Sequence, residues 1–346
     1  MTRHSPHFIG LTLGLLTLAA CSETTTEPET AGLPSSDPSL AAAAAGSWIT
    51  RAEVPQQRSG FASTALTDAS GHSVVYVIGG KNSDGFVPPT VQAYNVATNS
   101  WSTKAPLPTG VYATNGTGII NGKIYVSGGL KTRRDFVSDA LYKYDPVSNS
   151  WIRKSVLPAP GFNGVTGVIN NQLYILTGCG AGVACYPSVP LAFYRYNPAT
   201  NQWANLPNPT SAHEQGMSGV IGGKFYVVGG KDQLNRLEVY DPSTNSWTTK
   251  ASMPLGQFAA AGRWAGAGAA LGGKLYVIGG FQRDVDRSIT AVRTTNVYNP
   301  ATNSWTTVAP MPVGQGGDAA SRVVVGGQAR IEVIGESSPS NLQYIP

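Results

Sequence analysis

The stretch Tyr144-Asp145-Pro146-Val147-Ser148-Asn149-Ser150-Trp151 decides the fold. Two aromatic residues flank six positions, five of them filled by Asp, Pro, Ser and Asn, the residues of tight turns, so the segment predicts two short strands reversing on each other. The phrase recurs at Tyr94/Trp101, Tyr196/Trp203, Tyr240/Trp247 and Tyr298/Trp305, around NVATNS, NPATNQ, DPSTNS and NPATNS. Upstream of each lies a β-branched run ending in glycine: Val75-Tyr76-Val77-Ile78-Gly79-Gly80, then the runs at Ile124–Gly129, Leu173–Gly178, Phe225–Gly230 and Leu275–Gly280. A sixth copy, Ile331-Glu332-Val333-Ile334-Gly335, carries Glu336 where the others have their last glycine. Before these runs come small-residue strands, joined to them by two-residue turns such as Asn121-Gly122 and Gly222-Gly223, a tight-hairpin signature. Each unit of about fifty residues therefore holds four antiparallel strands, a to d, with the Tyr on c and the Trp on d.

These motifs resemble the kelch repeat over residues 47–346. The resemblance implies an all-β, six-bladed kelch-type β-propeller. The sixth copy reaches Tyr344 without a partner Trp, and Ser47-Trp48-Ile49 supplies a spare one, so the expected closure places the N-terminal segment as strand d of the last blade. Closure also removes the unpaired strand edges of a linear array. An open solenoid or a seven-blade ring with one degenerate copy are the alternatives. The repeat Trp residues 48, 101, 151, 203, 247 and 305 are expected to pack in the core, which leaves Trp264 outside the pattern.

Among 346 residues, 41 are Gly and 24 Pro, which excludes a long-helix protein. An apolar share of 41% and a net charge of +5 exclude disorder throughout and give no argument for nucleic acid. Residues 1–20 read as a signal peptide: Arg3, an uncharged run from Phe8 to Ala20, then Leu18-Ala19-Ala20-Cys21. That ending resembles the bacterial lipobox and implies lipidation at Cys21; ordinary secretion is the alternative. Residues 21–46, rich in Ser, Thr, Pro, Glu and Ala, are expected to form a flexible tether with a reach of about 25–30 Å. The chain is thus expected to be an exported, monomeric lipoprotein of a bacterial cell envelope, held to the outer membrane on its periplasmic or surface side, with no cofactor and no metal.

Strand direction locates a functional face. The d–a and b–c connections share one rim, and the stretches 81–93, 130–143, 179–195, 231–239 and 281–297 vary widely, whereas the turns on the opposite rim are nearly uniform. Variable loops on a rigid scaffold are where binding usually lives. In kelch binding domains the contacts often come from just before strand a and just after the double glycine. The resemblance carries that role to Arg58, Ser59, Lys81, Asn82, Phe162, Asn163, Lys231, Gln257 and Gln282; Arg133, Arg263 and Trp264 join them from the same rim. Trp264 is read either as an exposed contact beside Arg263 or as a plug in the channel mouth. Cys179 and Cys185 are expected to pair in a disulfide across the third b–c loop, as exported proteins allow.

Some kelch propellers are enzymes. A copper-radical oxidase site needs two histidines on one face, and His72 falls on the opposite rim from His213, so that chemistry is not expected. Sugar mutarotation needs only an acid, a base and a pocket, which His213-Glu214 with Arg58 or Arg263 could supply. The leading expectation is a non-catalytic propeller that binds a protein or glycan on the variable face. A carbohydrate-active enzyme such as a sialic acid mutarotase is the alternative, and a structural envelope component the third reading.

Overall fold

The computed structural model describes residues 46–68, 70–131, 136–180, 192–231, 235–256, 259–317, 319–336 and 339–346. The expected signal peptide, Cys21 and tether lie outside these residues. The described chain is all β and contains six four-stranded antiparallel sheets. Five take their strands consecutively, as in Gly116–Ile120, Lys123–Ser127, Leu141–Asp145 and Ser150–Arg153. The sixth combines Ala319–Val325, Gln328–Ile334 and Asn341–Ile345 with Ser47–Thr50 from the other end of the chain. In that pairing Trp48 stands opposite Tyr344 and Ser47 opposite Ile345. Strand a of each sheet packs on strand a of the next, and that of the sixth packs on that of the first, so the inner strands form a closed cycle.

The Tyr–Trp phrase staples neighbouring sheets together. Tyr94, Tyr144, Tyr196, Tyr240 and Tyr298 are fully buried, and each ring lies 4.8–5.4 Å from its Trp partner. Each Tyr hydroxyl donates to the Asn five residues on, at 2.6–2.7 Å, and these Asn residues hold left-handed φ angles of 48–55°. Asn tolerates that region because its short side chain bonds locally. The Trp residues are half-buried, which corrects the expectation that they are core in the same sense as the tyrosines. Their Nε1–H groups reach the preceding sheet instead: Trp101 donates to Ala52 O at 3.0 Å, Trp151 to Ala105 O at 2.9 Å and Trp305 to Ala251 O at 2.8 Å. Trp48 does the same to Ala309 O at 2.9 Å, so the N-terminal strand behaves as the missing strand d. Replacing Trp151 with Phe keeps the ring contact and removes one such bond. The expected loss is about 1 kcal/mol in a denaturant titration.

The glycine pairs exist because neighbouring sheets meet there. Gly79 has φ +66°, and a Cβ at that position would lie 2.2 Å from Val111 O of the adjoining connection. Small residues on the strands a serve the same end around the axis. There Thr117 Oγ1 donates to Ser63 O at 2.9 Å, Thr166 Oγ1 to Thr117 O at 2.6 Å and Ser218 Oγ to Thr166 O at 3.1 Å. These strands enclose an axial cavity of about 440 Å³.

On the rim where strands b end, two loops fold back as extra ribbons that the sequence pattern does not announce. Gly161–Phe162 pairs with Cys179–Gly180, and Ala259–Trp264 pairs with Phe281–Asp284, which pairs in turn with Ile289–Ala291. The d–a connection and the b–c loop of one repeat start side by side, so their backbones continue the hairpin beyond the sheet.

Candidate functional site

At the head of every strand a stands one residue in the left-handed region: Gly60, Ala113, Asn163, Gln215, Ala265 and Gly317, with φ of 50–78°. Their peptides are chained around the axis. Ala113 N donates to Gly60 O, Asn163 N to Ala113 O, Gln215 N to Asn163 O, Ala265 N to Gln215 O and Gly317 N to Ala265 O, all at 2.6–2.9 Å. The sixth link differs. Gly60 N–H bonds the carboxylate of Glu336, which Ser59 also bonds. Glu336 lies so close to Gly317 that a Cβ on that glycine would sit 1.8 Å from its Oε2. The departure from the double glycine in the sixth repeat thus closes a collar of backbone hydrogen bonds at the channel mouth. Burial pushes the Glu336 carboxyl up to about 7, against those bonds and the nearby charge of Lys81.

The collar floors a bowl of about 320 Å³ whose polar wall is Ser59, Lys81, Asn163, Gln215 and Glu336, with Tyr112 beside them. Ser59 and Lys81 exchange two backbone bonds of 2.8 Å, and Lys81 Nζ lies 4.6 Å above the Tyr112 ring. A side pocket of about 200 Å³ shares Ser59, Lys81 and Glu336 and adds Asn82. Asn163 Nδ2 donates to Glu214 Oε1 at 3.1 Å. Ser59, Lys81, Asn82 and Asn163 are therefore brought together as the sequence suggested. Lys231 and Gln282 stand apart, Lys231 exposed and Gln282 donating to Asp284 Oδ1 at 2.7 Å, while Phe162 pairs opposite Cys179 and packs behind the bowl against Tyr112 and Leu130. Arg133, Gln257 and Cys185 lie outside the described residues; Cys179 is disulfide-bonded.

Arg58 and Arg263 are not on the rim surface. They are 3% and 5% exposed, and both are spent on the strands beneath. Arg58 Nη1 donates to Gly79 O and Thr90 O, and Nη2 to Gln92 Oε1 at 2.7 Å. Arg263 bonds Gly279 O, Thr294 O and Asn296 Oδ1 in the same manner. Burial draws both guanidinium groups down to about 10. His213 fills the same slot in the fourth repeat, with Nδ1 on Gly229 O at 2.7 Å and Nε2 3.0 Å from Glu238 Oε2. Burial raises the Glu238 carboxyl, but bonds from His213 and Thr210 bring it down to about 2. The acid–base set offered for mutarotation is thus distributed over three sheets, with His213 and both arginines in their interiors. Trp264 is 8% exposed, 6.2 Å from the Phe281 ring, and not an open contact residue.

A signal for these buried plugs was present in the sequence. Gln92, Glu238 and Asn296 each stand two residues before the strand-c Tyr, only in repeats whose slot holds Arg or His. The second and third repeats pair Val111 and Gly161 with Tyr142 and Tyr194. The signals for Tyr112 and Gln215 were weaker, since nothing local marks them as facing the axis.

The repeated four-stranded sheets agree with the comparison to known families. The KLHDC2/KLHL20/DRC7 Kelch-repeats domain matches residues 60–280 and 120–335. The chain belongs to the kelch-repeat family. Similar kelch proteins include Kelch-like protein 25 of Xenopus tropicalis, 30% identical over 52% of this chain and 31% of its own length. Kelch-like protein terF of Aspergillus terreus is 27% identical over 64% of this chain and 50% of its own, and human Kelch-like protein 23 is 28% identical over 77% and 44%. The matches span only about a third to a half of these relatives. A solved structure, described as the structure of YjhT, shares the fold with a TM-score of 0.66 at 17% identity, covering 84% of this kelch chain and 94% of its own.

Proposed function

We propose that this kelch protein is a six-bladed ring that binds a protein partner on the face carrying the collar. Kelch-repeat domains generally bind protein partners, and the bowl bounded by Ser59, Lys81 and Glu336 supports that face over the opposite one. The bowl offers an ammonium, a carboxyl group and amide side chains at the centre of the variable loops, and these are features of an interface core with a polar rim. The second part of the reading places the ring outside a bacterial cytoplasm on a lipid-bearing Cys21, which follows from the Leu18–Cys21 phrase and the Ser/Thr/Pro-rich segment after it.

Photo-crosslinking separates the faces. A crosslinker at Asn82, on the bowl side, is expected to capture the partner, whereas one at Thr98, in an exposed c–d turn, is not. Equal capture from both positions, or capture from Thr98 alone, contradicts the assignment. A glycan array probed with the same protein tests the other ligand class on this face. For the anchor, fatty-acid labelling in a bacterial host is expected for the natural chain and lost in Cys21→Ser.

A further inference from the structure

The axial cavity carries a feature that partner binding at the rim does not use. Its lining comes from the strands a of all six sheets and is made of Gly, Ala, Ser, Thr, apolar residues and Asn115, uncharged with one exception. That exception is Arg322, the one charged side chain in the lining among the described residues. Its register explains why it stands out. Arg322 pairs with Ile331, the strand-b residue just before Glu332, and the residues at that register in the other repeats are Ala65, Ile119, Val168, Val220 and Ala270. A guanidinium has replaced an apolar side chain in one sheet of the cycle.

Arg322 is also uncommitted. Arg58, Arg263, Arg51 and Arg330 are all buried and hydrogen-bonded into strands. Arg322 is exposed, and none of its donors is engaged by a hydrogen bond or ion pair among the described residues. The lining contains no Asp or Glu among them. A single positive charge within low-dielectric walls focuses its field along the cavity and raises the local concentration of anions.

We infer that the channel is a binding site for a small oxyanion, a carboxylate or phosphate group held by Arg322. The guanidinium offers it a two-pronged contact. A cavity of about 440 Å³ limits the ligand to a small molecule or the tip of a larger one. The site lies inside the ring and is independent of partner capture on the collar face.

The probes are inorganic phosphate and acetate, titrated separately into the full chain by calorimetry in a buffer free of other oxyanions, with chloride as the ionic-strength control. Saturable binding of at least one is expected. Arg322→Ala should weaken it about tenfold or more, because a hydrogen bond to a charged group contributes that much. Arg322→Lys should recover part of the loss, and Arg153→Ala, which removes an exposed ion pair to Asp139, should leave affinity unchanged. Binding of phosphate alone or acetate alone identifies the headgroup. Melting curves establish that each variant is folded; since the Arg322 side chain makes no hydrogen bond or ion pair among the described residues, Arg322→Ala is expected to melt with the parent. No binding of either probe by the folded parent, or unchanged affinity in Arg322→Ala, overturns the inference. Crosslinking at Asn82 that survives in Arg322→Ala separates this outcome from failure of the partner-binding reading.

Discussion

A chain beginning at Arg51, and so lacking Ser47–Thr50, is expected to lose cooperative folding rather than merely to melt earlier. The deleted strand completes the sixth sheet in register with Leu342–Ile345. It carries the Trp48 ring, 5.0 Å from Tyr344, and the Nε1–H bond to Ala309 O. Loss of the Trp side chain alone would cost about 3–5 kcal/mol. A whole domain has only about 5–15 kcal/mol to lose. The deletion also bares Asn341–Ile345 as an edge strand, a template for aggregation. Near-UV circular dichroism and light scattering would report the result. A soluble, monomeric product with a sharp melt near that of the parent would show that the ends do not hold the ring.

The second large effect is a fall in stability as pH rises from about 4.5 to about 7, set at the same seam. Glu332 takes the place that Tyr occupies in the other strands b and is fully buried. Burial pushes its carboxyl up to about 7, opposed by the Gln343 bond and by the charges of Arg51 and Arg330. Gln343 Nε2 donates to Glu332 Oε2 at 2.7 Å, and Asn341 also bonds this carboxyl and favours its charged form, but burial outweighs both. Because the folded value lies above the unfolded one of 4.5, the folded state binds this proton more tightly. The resulting stability is complete below pH 4.5 and gone above pH 7, a change of roughly 3 kcal/mol. Glu336, raised to about 7 by burial beside Lys81, works in the same window and direction. Glu238, held at about 2, works the other way, and its contribution is lost only as pH falls from 4.5 toward 2. Thermal melts at pH 5 and pH 8 should therefore differ, with the lower pH more stable. Glu332→Gln, which keeps the bond from Gln343 and adds a donor, should narrow the gap by raising the pH 8 value. An identical gap in wild type and variant would remove Glu332 from the account.

Both effects concentrate where the sixth sheet meets the first, and the collar has its irregular link there too. The other five junctions repeat one solution: Gly at the close approach, Tyr and Trp at the staple, Asn at the turn. The sixth substitutes Glu332 and Glu336 for repeat residues and adds Arg51 and Arg330. A ring zipped by its two ends thus carries Glu332 and Glu336 at the closure, which makes that junction one whose strength falls as pH rises toward 7.

The sequence by itself determined the strands, their order within each sheet and the pairing of the two ends. Those features rest on short-range chemistry: turn residues with fixed offsets, strand-forming runs and an aromatic pair that can meet only across one hairpin. It also placed Ser59, Lys81, Asn82 and Asn163 on one face, because strand direction fixes the rim. Only the tertiary structure decided which rim residues face outward. Arg58 and Arg263 are long enough to turn either way, and what turns them inward is an acceptor more than thirty residues distant, Gln92 or Asn296. Glu336 becomes the sixth link of the collar because Gly60, more than 270 positions earlier, is brought beside it by closure of the ring.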